Sequence, residues 1–160
     1  MANELSISTI LSNTWNSIYS ILNDSSSGLT DTQSSARTRT TWVFSSFPDE
    51  YDDDGATSAD FPGYPVVVIE TNSDASLFTL GQGKREASVS VEINIFTKKA
   101  VDLDTLSDDV INHLMNSSQS TLESKYLFSP TMEGTLTNTM FRDKDKIHQR
   151  SLRFSFRWVG

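Results

Sequence analysis

The sequence predicts an α+β protein: an antiparallel β-sheet with two helices packed on one face, in the order α-β-β-β-α-β-β. Two observations carry that prediction. Apolar residues recur at helical spacing between Leu5 and Leu22 and again between Leu103 and Met115. They alternate with polar residues from Ala87 to Ile95, and again from Leu152 to Trp158.

The first helix is read from Leu5, Ile7, Ile10, Leu11, Trp15, Ile18, Tyr19, Ile21 and Leu22, which share one face. Residues 23–36 are rich in Ser, Thr and Asp and offer little to bury, so they are read as a flexible loop. Thr38, Thr40, Thr41, Trp42, Val43 and Phe44 predict a strand within Arg37–Phe47. A second flexible loop is expected over residues 48–63, where two Pro, two Gly, five Asp and Glu50 combine turn chemistry with self-repulsion. Pro65 then opens the apolar run Val66–Ile69, read as a buried strand.

The long strand over Lys84–Phe96 has Ala87, Val89, Val91, Ile93 and Ile95 on a dry face and Ser88, Ser90, Glu92 and Asn94 on a wet one. A second helix follows, with Asp104 or Thr105 as N-cap, Asp108 and Asp109 in its first turn, and an extension toward Thr121–Phe128. Met132–Phe141 and Ile147–Val159 are read as two antiparallel strands joined by the charged turn RDKDK. Phe154, Phe156 and Trp158 point inward in that register, with Ser151, Arg153, Ser155 and Arg157 opposite.

A chain of 160 residues fits one domain, 1–160. No apolar run approaches the ~20 residues of a membrane-spanning helix, and the N-terminus MANELSIST lacks a secretory pattern. The expectation is a protein made in the cytoplasm, with no membrane partner. Zero cysteines exclude disulfides, thiolate metal sites and cysteine nucleophiles. The net charge of −8 is uneven: residues 1–83 hold 11 acidic and 2 basic residues, whereas residues 84–160 hold 10 and 11. This acidity argues against nucleic-acid binding through a basic face. It also suggests an acidic half of one subunit meeting a basic patch of the next.

The chemistry-bearing residues form no catalytic, cofactor or metal set, and the chain is read as a non-enzyme. Glu50–Gly55 fails as a calcium loop because its twelfth position would be Phe61. Gly81–Arg85 fails as a phosphate loop because the hydroxyl position after the lysine is Arg85. His113 and His148 lack companion ligands and are read as ordinary surface histidines. Asp102, Asp104, Asp108 and Asp109 serve a helix start. Trp15, Trp42 and Trp158 are read as core or interface anchors.

The element order and the segment GKREASVSVEINIFTKKAVDLDTLSDDVINHL, Gly83–Leu114, resemble the tail terminator and tail completion proteins of long-tailed bacteriophages and archaeal tailed viruses. The resemblance spans nearly the whole chain and is one of pattern rather than motif. It implies a virion structural protein of the tail and neck, a small α+β subunit forming a homohexameric ring. Such a ring caps the tail tube and joins it to the neck. The implied partners are the major tail tube protein, the neck or connector proteins, and genomic DNA that passes through without sequence-specific binding. A head-to-tail connector, as stopper or adaptor, is the alternative. The 48–63 excursion is longer than a minimal member of that family needs.

Overall fold

A computed structural model describes residues 9–37, 40–72, 77–81, 84–117, 119–142 and 144–159. Its elements are α1 (Ile10–Leu22), β1 (Val43–Phe44), β2 (Val66–Asn72), β3 (Leu77–Gly81), β4 (Lys84–Thr97), α2 (Ala100–Asn112), α3 (Gln119–Glu123), β5 (Leu127–Arg142) and β6 (Asp145–Val159). The sheet runs β1-β2-β4-β6-β5, with β3 pairing the first residues of β4 beside β2. The α+β class and the helices on one face are as the sequence predicts.

Strict alternation along β4 and β6 divides the sheet into two unlike sides. Val89, Val91, Ile93 and Ile95 lie opposite Phe156, Phe154, Leu152 and Arg150. Ile18, Leu22, Leu103, Leu106 and Val110 of α1 and α2 close over that side. Each fully buried aliphatic or aromatic side chain there contributes ~1.5–3 kcal/mol. The far side is polar over most of its area: Ser88 and Ser155 meet at 3.4 Å and Gln149 donates to Asn94 at 3.2 Å. Glu70 and Glu92 are directly opposite each other, a repulsive pair, and Arg153 on the next strand ion-pairs with Glu92 at 2.9 Å.

One end of the far side is not polar. Val66, Val68, Phe96 and Ile147 form a second buried cluster, covered by Phe44, Phe47, Phe61, Tyr64 and Met140. Phe47 meets Phe96 edge-on with centroids 4.8 Å apart, and Phe61 meets Tyr64 at 5.3 Å. The acidic excursion is thus pinned to the sheet by its aromatic residues. The 23–36 segment is anchored too, through Leu29, which is buried and donates its N–H to the Leu22 carbonyl at 2.8 Å.

Several sequence expectations need correction. The sheet is mixed, because β1 runs parallel to β2. A parallel neighbour needs a long return path, and the excursion between Phe44 and Val66 supplies it. The strand expected over Arg37–Phe47 shortens to Val43–Phe44; Arg37 instead turns its guanidinium onto the carbonyls of Gly63 and Pro65, at 2.7 and 2.5 Å, and Thr38 and Arg39 lie outside the described residues. β3 adds a strand that no alternation announced. Helix α2 starts at Ala100, with Lys99 as an extended N-cap and Asp102 in the first turn, so neither Asp104 nor Thr105 caps it. Asp104 pairs with Arg150 at 2.8 Å, and Thr105 donates to the Val101 carbonyl. Past Asn112 the chain loosens into a π-helical turn, His113–Ser117, before α3, and Leu127 and Phe128 already belong to β5.

Candidate functional site

The acidic stretch Glu50–Gly55 folds as a turn. Gly55, at φ +81°, donates to the Asp52 carbonyl at 2.8 Å, and Asp52 donates to the Ala56 carbonyl at 2.9 Å. Gly55 accepts that left-handed conformation without strain. Asp54 takes the Ala56 N–H at 3.0 Å. Gly81 ends β3 and Lys84 begins β4, while Gln82 and Gly83 lie outside the described residues. Among the described residues, no group of three or more His, Asp and Glu side chains converges as metal ligands.

His113 has a structural role that its sequence context hides. Its Nδ1 lies 2.7 Å from the Asp109 carbonyl and its Nε2 lies 2.6 Å from the Ser27 carbonyl, 86 residues away in the chain. Both partners are carbonyl oxygens, so a ring N–H can donate to either of them, and the imidazole ties the π-helical turn to the loop after α1. In that loop the hydroxyl and N–H of Ser26, together with those of Ser27, hold the Asp24 carboxyl well below the usual carboxylate range. His148 stands half-buried between Thr97 and Thr139 on the neighbouring strands. Trp42 is buried with the Arg37 guanidinium 5.1 Å over its ring, Trp15 donates to the Ile69 carbonyl, and Trp158 is buried in the core.

A second fastening joins the β5–β6 turn to the acidic excursion. Arg142 pairs with Glu50 at 3.1 Å and stacks 4.7 Å over Phe47, while the Tyr64 hydroxyl donates to the same Glu50 carboxylate. Burial and that carboxylate push the Tyr64 phenol upward. Lys98 bonds Asp145 and sits 5.9 Å over the Tyr64 ring. Glu50, Tyr64, Lys98, Arg142 and Asp145 line a cavity of about 210 Å³. Phe47, Phe61 and Tyr64 were not singled out in the sequence; aromatic residues punctuating an acidic, Gly/Pro-rich stretch were the available signal.

Five cations of the second half meet carboxylates inside the subunit. Arg142 takes Glu50, Lys98 takes Asp145, Arg150 takes Asp104, Arg153 takes Glu92 and Arg157 takes Glu86. Lys98, Arg142 and Arg150, three cations of the basic half expected to meet a neighbouring subunit, are thus engaged internally. Among the described residues, Lys144 and Lys146 carry no such pair, nor do Asp49, Asp52 and Asp53.

Of the exposed large apolar residues, Tyr51, Val101 and Tyr126 are scattered, and Leu136 and Phe141 share the hairpin. β5 is an edge strand, and from Glu133 to Thr139 it is exposed on both faces. Leu136 is 69% exposed and Phe141 76%. Gly134–Phe141 contains no charge and no proline, so the edge lacks the usual protection against pairing with another chain. On the excursion, Phe44, Phe47, Pro48, Tyr51, Asp49, Asp52, Asp53, Asp54 and Asp60 line an open cleft of about 750 Å³. Among the described residues, no helix is long and apolar enough to cross a membrane.

No protein-family model matches the chain, and no curated protein matches it. Its fold is similar to that of a chain in a solved structure described as the virion of a native gene transfer agent (GTA) particle, with a TM-score of 0.53 and 13% sequence identity. The likeness covers 89% of this chain and 92% of that one.

Proposed function

We propose that this chain is a non-enzymatic structural subunit of a virion, of the tail terminator or tail completion type. In this reading it forms a ring, most simply a hexamer, that caps the tail tube and joins it to the neck. The observation that carries the reading is the end-to-end fold likeness to a chain of a GTA virion, which leaves no large part of either chain unmatched. The unprotected β5 edge and the exposed Leu136 and Phe141 agree with it, since a subunit that works in an assembly keeps surfaces for its neighbours. Genomic DNA would pass the ring without sequence-specific contact, and the acidic composition suits passage without sticking.

Depletion of the protein followed by imaging of the particles tests this. Tails of uncontrolled length, or tails unjoined to heads, are the expected result. Filled heads that leak DNA while tails keep their length would favour the connector reading. Normal particles from depleted cells would remove both.

A further inference from the structure

We propose that the tip of the β5–β6 hairpin docks into the excursion cleft of a second copy of this chain, with Phe141 as the apolar anchor and Lys144 and Lys146 as its charged rim. The proposal deepens the ring reading above and rests on it. Three observations support it.

The first is chemical fit. Phe141 is 76% exposed and lies directly opposite Lys146, so an aromatic ring and an ammonium share one rung, with Lys144 at the turn beside them. The cleft presents Phe44, Phe47 and Tyr51 together with Asp49, Asp52 and Asp53, in a space of about 750 Å³. An aromatic knob, the Phe141 side chain flanked by Lys144 and Lys146, complements an aromatic cleft flanked by carboxylates.

The second is that both surfaces are left over after internal pairing. The hairpin cations within reach of carboxylates have taken them, as Arg142 has Glu50. Among the described residues, Lys144, Lys146, Asp49, Asp52 and Asp53 have not been neutralised in this way.

The third is direction. Met140 and Ile147 face each other across the hairpin and point into the aromatic cluster on the far side of the sheet, where the excursion lies. Phe141 and Lys146, one rung on, point to the other side, the side that carries the helices. Phe141 thus points away from the excursion of its own subunit, which its neighbour Arg142 reaches through Glu50 and Phe47. A contact between two unlike surfaces that face opposite ways is heterologous, and repeated it closes a ring or extends a filament.

The chain has no cysteine, which makes oxidative cross-linking clean. Thr139→Cys, on the knob side of β5, is combined with Asp53→Cys in the cleft, and the full chain is oxidised at up to about 1 mM, where even a millimolar contact is half-populated. The expected product is a ladder of covalent multimers from the double variant and none from either single variant. Adding Lys144→Glu and Lys146→Glu should reduce the ladder at least about tenfold, and Asp49→Lys with Asp52→Lys should restore it. An internally cross-linked monomer overturns the proposal, because knob and cleft would then share a side. Light scattering on the parent chain separates the two readings: multimers without a ladder overturn this contact and leave the ring. An unlinked monomer throughout overturns the contact, while particle imaging decides the ring independently.

Discussion

The Trp15 indole N–H donates to the Ile69 carbonyl oxygen at 2.9 Å, and this bond closes a stretch of the β2 edge that β1 does not reach. Val67 donates to the Trp42 carbonyl, so Val67 and Ile69, two residues apart, both turn their backbone groups toward β1. Strand β1 ends at Phe44, opposite Val68. Helix α1 supplies from its own side chain the partner that β1 is too short to give.

Trp15→Phe keeps the ring and removes the donor. It should destabilise the protein by ~0.5–1.5 kcal/mol, the net value of one hydrogen bond, as read by denaturant melts. A loss above about 3 kcal/mol would mean that Trp15 matters through packing, including its stack on Tyr19 at 4.9 Å, rather than through Ile69.

The C-terminal strand separates core from surface residue by residue. Phe156→Ala should cost ~3–5 kcal/mol, whereas Arg157→Ala, which breaks a half-exposed pair with Glu86, should cost ~0–1. Trp158 is buried, and among the described residues its indole N–H has no acceptor. Trp158→Phe removes that unpaired donor along with some ring volume, so its melting temperature should fall far less than that of Phe156→Ala. Equal losses at Phe156 and Arg157 would mean that the strand register is wrong.

Asp24 predicts a pH signature for the loop after α1. Its carboxyl is depressed by four hydrogen bonds from Ser26 and Ser27, so the native state holds that proton less readily than the unfolded chain. Its stabilisation is fully present above the ordinary aspartate value near 3.9 and fades as the pH falls below it. Asp24→Ala should therefore lower the melting temperature at neutral pH and converge on the parent chain in strong acid. A gap that widens in acid would reverse the assignment. Hydrogen exchange on the same variants tests the flexible-loop expectation: His113→Ala, which frees Ser27, should speed exchange within residues 23–36.

What the sequence disclosed depended on how local each signal was. β4 and β6 were legible because alternation over Ala87–Ile95 and Leu152–Trp158 leaves one register with a dry face. Helix α1 was legible from Ile10 to Leu22, while its expected first turns, from Leu5, lie outside the described residues. The start of α2 was misjudged because Asp104 looks like a cap, and only the fold brings Arg150 within 2.8 Å of it. The excursion was read from its charges, whereas its placement depends on Phe47 finding Phe96, 49 positions on. The exposure of Phe141 was equally hidden, since alternation alone does not say how far along their side of the sheet the helices reach.

The two clusters on opposite sides of the sheet have a consequence for how the fold is encoded. Val66 and Val68 belong to one cluster, and Val67 and Ile69 to the other. All four are apolar and of similar size, so sliding β2 by one residue would exchange the roles of its inner residues, and only the end of the run, at Ile69 and Glu70, would register the slip. The run Val66–Ile69 of β2 therefore carries almost no information about its own alignment. That information resides in β4, where Asn94 and Ile95 cannot trade places, and at the borders of the run, where Pro65 and the exposed Glu70 mark its ends. Exchanging neighbouring Val and Ile within Val66–Ile69 should pass almost unnoticed, whereas exchanging Asn94 with Ile95 should scramble the sheet.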